Sequence, residues 1–383
     1  MYTILDYLSW RGDLSLAIRP FNEVDNLILS ELAYADFRGI VPPLASGESI
    51  SLRDAVSAYF ADGREQSYLI CDPRRLLEAA WESVRFSELR LSGYVDEIDR
   101  EKQTQFAAMC FHLGDGSSYV AYRGTDDSLV GWREDFNLSF LDETYGQQRA
   151  VRYLEQVSAE STGPLRVGGH SKGGNLAVYA AAFCSPQVKE RIQEVYSNDG
   201  PGFRKAVTDS EEYRQSMSKL RIIVPESSLV GILLFNKGER KIIKSASAGI
   251  QQHDPYSWEV LGEHFVEAEK LSPASALADE ALDRWTDALD DEQRANLVSA
   301  IFDALEATGA ETLTQLSSQR WATCNAVLKA IRDLEPQRQK EVRESVKKLR
   351  VAGKEALWME ARRSLEAFLR EHAHRGRGEE RRD

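Results

Sequence analysis

The chain has 383 residues, 42% hydrophobic and 28% charged, a balance that lets a globular protein bury a core and excludes disorder throughout. Lysine and arginine number 48 against 61 aspartate and glutamate, and the net charge of −13 disfavours nucleic acid or an anionic membrane as the main partner. No stretch approaches 18 consecutive apolar residues and residues 1–10 lack the basic start and apolar run of a secretory signal, so neither a transmembrane helix nor a leader is expected.

In chain order, Asn22-Glu23-Val24-Asp25 is a capping-box-like start, and Val24, Leu27, Ile28 and Leu32 then fall on one helical face. Residues 49–60 and 73–83 read as two further short helices, the second led by Pro73. After Phe86 the pattern turns to strands at 89–91 with 94–96, at 105–113, and at 118–122. Gly114-Asp115-Gly116-Ser117 supplies a hairpin turn between the last two. Strands at 165–168, 194–197, 219–224 and 240–244, with a helix at 174–184, then predict a mostly parallel sheet with helices packed on it.

Beyond residue 270 the strand signals stop. Leu277, Ala281, Trp285 and Leu289 form one helical stripe, Leu297, Ile301 and Leu305 a second, and Leu313, Leu316, Val327, Ile331 and Leu334 a third. After Pro336, a long helix is expected from Val342, Val346, Leu349, Leu357, Ala361, Leu365 and Phe368. The expected division is a catalytic domain over 1–268 with an N-terminal helical segment, a helical extension over 269–372, and a charged tail over 373–383.

The most informative stretch contains Gly169-x-Ser171-x-Gly173 between a short apolar strand and an alanine-rich helix, the pattern of a nucleophile elbow. A serine lifted above a sheet on a strained strand-to-helix turn tolerates no bulk two residues away on either side. The start of the following helix offers free N–H groups and a positive dipole end to a developing oxyanion. No Gly-x-Gly-x-x-Gly is present, which argues against a dinucleotide loop.

A nucleophilic serine needs a base, and the base an orienting acid. His253 sits in a loop after the last expected strand, where a catalytic histidine would be presented, whereas His264 reads as a helical packing residue and His372 and His374 border the tail. His170, beside the serine, reads as a packing or hydrogen-bonding residue. Asp199 and Glu226 each follow a strand, and Asp199 is the favoured acid with Glu226 as the alternative.

With these residues placed, Val120-Ala121-Tyr122-Arg123-Gly124-Thr125, the segment 132–138 and Gly169-His170-Ser171-x-Gly173-Gly174 resemble the class three (fungal-type) lipases of the α/β-hydrolase superfamily. A closer resemblance is to a large bacterial family of lipase-like hydrolases classed as a domain of unknown function. It is carried by Trp10-Arg11-Gly12-Asp13-Leu14, Phe21-Asn22-Glu23-Val24-Asp25, Asp199-Gly200-Pro201-Gly202-Phe203 and Gln252-His253-Asp254, and spans about residues 1–265. The resemblance implies an α/β-hydrolase fold with Ser171 as nucleophile, Asp199 as acid and His253 as base. By similarity to the lipases, Thr125 would give its backbone N–H to the oxyanion, with its hydroxyl as a further candidate donor, and the N–H of Lys172 would be the second. Lys172 stands where the lipases usually carry leucine, its side chain expected either solvated or facing an anionic head group, and the acid comes one strand earlier than theirs.

The expected activity is therefore that of a serine hydrolase acting on a carboxylic ester or lipid-like acyl substrate, without metal or cofactor. The alternative is a non-catalytic scaffold of the same fold that uses its helical extension for partners, and the extension is also a candidate surface for self-association. Four scattered cysteines (Cys71, Cys110, Cys184 and Cys324) show neither CxxC nor metal-ligand spacing and point to a reducing cytoplasm.

Overall fold

The computed structural model describes residues 1–63, 72–318, 329, 332–333, 335–345, 347–348 and 350–353. Eight strands form one sheet in chain order: β1 (Ile50–Ser51), β2 (Arg90–Asp99), β3 (Thr104–His112), β4 (Ser118–Tyr122), β5 (Leu165–His170), β6 (Ile192–Asn198), β7 (Leu220–Pro225) and β8 (Arg240–Ile243). Gly114 and Gly116, at φ 77° and 86°, turn β3 back on itself, so β3 and β4 pair antiparallel, as do β1 to β3. From β4 to β7 the chain returns through helices and from β7 to β8 through a loop, and every pairing from β4 to β8 is parallel.

Strand alternation splits the core in two. β3 sends Met109 and Phe111 to one face, where they meet α1 (Ile4–Arg11), α2 (Glu23–Leu32), α3 (Leu52–Ala61) and α4 (Arg74–Ala80). Phe106, Ala108 and Cys110 go to the other, against α6 (Tyr145–Glu160) and α7 (Lys172–Phe183). Between these, α5 (Leu129–Asn137) follows β4, and the short helices α8 (Pro186–Arg191), α9 (Lys205–Thr208) and α10 (Glu211–Ser216) flank β6. The extension adds α11 (Pro273–Asp287), α12 (Asp291–Glu306) and α13 (Leu313–Ser318).

Helix α2 is buried from Val24 to Leu32. Asn22 caps it, its Oδ1 accepting from the N–H groups of Val24 and Asp25 at 2.9 and 3.2 Å, while Asp25 Oδ2 accepts from Asn22 N at 3.0 Å. A helix buried on all sides must satisfy its polar groups internally. Asp25 pairs with Arg85 and accepts from Tyr7 Oη at 2.8 Å, and Arg85 spends its other donors on the carbonyls of Leu14, Arg19 and Pro20. Asn26 donates to Asn198 Oδ1 at 2.8 Å and accepts from Tyr119 Oη at 2.7 Å.

The expected strand over 89–91 and 94–96 is β2, whose register shifts between Ser92 and Val95, where Gly93 takes φ 71° and its carbonyl accepts from Tyr153 Oη. Two local readings differ from the structure. His264 lies on no helix. It sits exposed in the two-residue strand β10 (His264–Phe265), paired to β9 (Val260–Leu261) across Gly262 at φ 67°. Helix α6 was not among the expected elements, although Thr144 and Gln147 form its capping box. Val327, Ile331, Leu334, Val346, Leu349, Leu357, Ala361, Leu365, Phe368 and the tail at 373–383 lie outside the described residues. No helix of the described residues is long and apolar enough to cross a membrane.

Removing one partner of a buried ion pair strands the other without solvent. Arg85→Met is therefore expected to destabilise the fold by about 3–5 kcal/mol in urea unfolding, and the double change Asp25→Leu/Arg85→Met by clearly less. Equal losses in the two variants would show that Arg85 acts through its carbonyl contacts and not through Asp25.

Candidate active site

Ser171 stands between the end of β5 and the start of α7 at φ 58°, ψ −133°, a backbone conformation that costs a non-glycine residue about 1–3 kcal/mol. It is held there by hydrogen bonds from its N–H to Asn198 O at 3.0 Å and from Gly174 N to its carbonyl at 2.9 Å. The flanking glycines are demanded by space. A Cβ on Gly173 would lie 2.1 Å from Tyr122 O, and one on Gly169 would lie 2.4 Å from both Tyr122 O and Gly173 C. The helix axis consequently points its N-terminal amides at the space above Ser171.

Asp199 follows β6 directly, at φ 49°, with its N–H on Ile223 O at 2.8 Å. Its Oδ2 accepts from His253 Nδ1 at 2.7 Å, and its Oδ1 accepts from Ser228 Oγ at 2.5 Å and Gly231 N at 3.1 Å. All three donors converge on one buried carboxylate. Glu226 is elsewhere: its N–H binds Ile243 O, its carbonyl accepts from Ser272 N, and it does not border the cavity that His253 lines. Ser228 and Gly231 were not anticipated; the sequence signal was a serine three residues before a glycine just past a strand end.

His170 packs on His253 with ring centroids 4.5 Å apart at 34°. Its Nε2 donates to His253 O at 2.9 Å, and its Nδ1 lies 3.2 Å from Tyr34 Oη and 3.3 Å from Glu31 Oε1. Burial, with the neighbouring His253 adding to it, holds the His170 imidazole well below its ordinary range, so it is neutral. The hydroxyl of Tyr34 then donates to Nδ1, and the ring of His253 is clamped by a stack and a backbone bond.

Lys172 departs from both sequence readings of its side chain. It is 1% exposed, and its ammonium donates to Gln105 O at 2.7 Å, Gln105 Oε1 at 2.9 Å and Glu134 Oε2 at 2.9 Å. Neither solvent nor a head group is its partner. Only its backbone N–H, at the first turn of α7, remains near Ser171. Thr125 follows β4 and donates its hydroxyl to Asp135 Oδ2 at 2.6 Å. The surrounding protein pushes the Asp135 carboxyl up to about 6, through burial, against the pull of Lys172 and of the Thr125 hydroxyl.

Ser171, His253, Thr125 and Asp135 border one cavity of about 440 Å³, whose remaining wall includes residues of α11 and α12. No cluster of three His, Cys, Asp or Glu side chains arranged for a metal ion occurs among the described residues.

A sheet that is parallel from β4 to β8 and covered by helices on both faces defines an α/β-hydrolase fold, here carrying additional C-terminal helices. The model of the Mbeg1-like family matches residues 80–303, more than half of the sequence, and the chain belongs to that family. Among solved structures, the Rhizomucor miehei lipase in complex with its propeptide is similar at 14% identity and TM-score 0.35, over 62% of this chain and 80% of that one. The lipase of Rhizopus microsporus var. chinensis is similar at 15% identity and TM-score 0.33, over 50% and 71%. Lip2 lipase of Yarrowia lipolytica gives 15% and 0.30, over 48% and 72%. Likeness this remote says nothing about substrate. No curated protein matches the sequence.

A histidine kept neutral by folding binds fewer protons than its unfolded counterpart. Stability from His170 is thus complete above its ordinary value of 6.5 and is lost progressively as pH falls below it. Urea midpoints measured from pH 8 to pH 5 should fall less steeply for His170→Phe than for the natural chain. Parallel slopes would mean that His170 is not the proton acceptor.

Proposed function

We propose that the chain is a serine hydrolase that cleaves a carboxylic ester or lipid-like acyl substrate through an acyl-enzyme, with Ser171 as nucleophile, His253 as general base and Asp199 as the orienting acid. The observation that carries this reading is the 2.7 Å bond between Asp199 and His253 at the rim of a cavity that the strained Ser171 also lines. Asp199 holds the Nδ1 proton, which leaves Nε2 free to take the hydroxyl proton of Ser171 as the oxygen attacks the substrate carbonyl. Charge that develops on the carbonyl oxygen is met by the backbone N–H groups of Thr125 and Lys172 and by the positive end of α7. His253 then returns the proton to the leaving alcohol. Water, deprotonated by the same imidazole, releases the acid and restores Ser171.

The hydroxyl bond from Thr125 to Asp135 supports a role for the Thr125 backbone N–H, because it occupies the hydroxyl proton and restrains the residue. The unpaired, buried Cys110 and Cys184 support a reducing, cytoplasmic setting.

A fluorophosphonate probe and a chromogenic ester test the proposal together. Ser171→Ala should abolish both labelling and turnover while leaving the fold intact. Asp199→Asn should lower kcat by about 10³–10⁴, as loss of tautomer control does in such triads, and Glu226→Gln should leave it near that of the natural chain. Undiminished turnover in Ser171→Ala would refute the nucleophile assignment. A chain that neither labels nor turns over would point to a scaffold.

A further inference from the structure

The cavity beside Ser171 is far larger than the chemistry needs. Its volume of about 440 Å³ falls within the range of sites that enclose a whole small ligand. Away from Ser171 its wall is apolar, built by Leu233 of the loop after β7, Leu282 and Trp285 of α11, and Leu297, Val298 and Ile301 of α12. Arg294, the charged residue that α12 brings to the lining, donates to Thr286 O at 2.7 Å and pairs with Asp291, joining the end of α11 to the start of α12, while its Nε has no hydrogen-bond partner among the described residues.

These helices are fastened to the catalytic face at several points. Ser128 and Thr312 form a β-bridge, and Leu129 N donates to Glu311 O at 2.9 Å. Asp127 accepts from Thr314 N at 3.1 Å. Arg133 pairs with Asp303 at 3.0 Å, and Phe136 meets Phe302 edge-on with centroids 5.6 Å apart. Ser275 Oγ of α11 donates to Ser228 O and Asp279 pairs with Arg240, so the wall that α11 and α12 contribute is a fixed part of the cavity.

We propose that α11 and α12 form an acyl-chain site, and that the substrate is an ester of one unbranched, medium- to long-chain acyl group whose carbonyl lies at Ser171 and whose chain runs along Trp285, Val298 and Ile301. This rests on the hydrolase reading above and adds to it the acyl class. The physical case is direct. The aliphatic side chains Leu233, Leu282, Leu297, Val298 and Ile301 have no hydrogen bond to offer a sugar, peptide or phosphate, and the buried polar atoms of the lining without a partner among the described residues are few, Trp132 Nε1, Asp135 Oδ1 and Arg294 Nε. Each methylene taken from water onto the aliphatic wall gains about fourfold in binding. The volume suits one chain and not several.

Two measurements on the full chain separate this inference from the hydrolase reading. The first is the labelling rate with ethyl, octyl and dodecyl fluorophosphonates. The second is calorimetric binding of octanoate and dodecanoate to Ser171→Ala, which needs no catalysis. Labelling and affinity should both rise with chain length by about fourfold per methylene until the cavity is filled. Val298→Trp, which fills the wall, should lower the dodecyl-to-ethyl labelling ratio by about tenfold or more, since overpacking a closed site expels the longer ligand first. Trp285→Ala, which enlarges the cavity, should move the optimum to longer chains. Ratios that stay level in the natural chain and in both variants overturn the acyl site, and so does failure of dodecanoate to bind Ser171→Ala. Chain-length-dependent binding without any labelling would uphold the acyl site and remove the hydrolase reading.

Discussion

The closeness of α7 to β4 is the constraint on which the rest of the molecule depends. Backbone meets backbone there: Gly169 and Gly173 lie against the carbonyl of Tyr122 with no room for a side-chain carbon. That approach stands Ser171 on a turn which an ordinary residue would leave. Burial of α7 from Lys172 to Ala182 supplies the opposing stabilisation, and its alanines let it lie close over the sheet. Asn198 extends the constraint sideways. Its carbonyl accepts from Ser171 N, its side chain donates to Gly169 O at 3.2 Å, and its Oδ1 accepts from Asn26 on α2. Helix α2 thus braces Asn198, which lies next to Asp199 in the chain and binds the Ser171 amide.

A second layer of order comes from one buried carboxylate. Glu134 accepts from Lys172, from Thr104 Oγ1 at 2.5 Å, from Gln105 N at 3.0 Å and from Gly146 N at 2.9 Å. Elements β3, α5, α6 and α7 therefore meet at two oxygen atoms. A buried ion pair recovers its desolvation cost only when every donor and acceptor is used, and here Lys172 and Glu134 use theirs. The return on that arrangement is orientation. With α5 fixed through Glu134, the adjacent Asp135 faces Thr125, and the loop after β4 keeps one conformation.

Much of this was legible in local sequence, and the boundary of legibility has a physical cause. Short apolar strands, the hairpin at Gly114 and Gly116, and the glycine spacing around Ser171 are all set by neighbours within a few residues, so they were readable. His264 was misread because a two-residue strand is too short to show a period. The direction of the Lys172 side chain depends on Glu134, 38 positions away, and on Gln105, 67 away, so nothing in its own neighbourhood could reveal it. Helix α6 offered a readable sign, the Thr144 and Gln147 capping pair, that its polar surface obscured. The seating of the extension on Asp127 to Leu129 left no trace, since a single bridge has neither period nor motif.

That seating has a consequence in time. Thr314 binds Asp127 across 187 positions, and Ser128 waits for Thr312 in the same way. Successive strands are neighbours in the sheet, so each can join as it is made, whereas Asp127 and Ser128 lack these partners until residues 312–314 follow. Contacts so remote along the chain form late, because loop entropy must be overcome before they contribute anything. The growing polypeptide thus holds an unfinished pocket until the segment at 311–314 follows the sheet that it seats on.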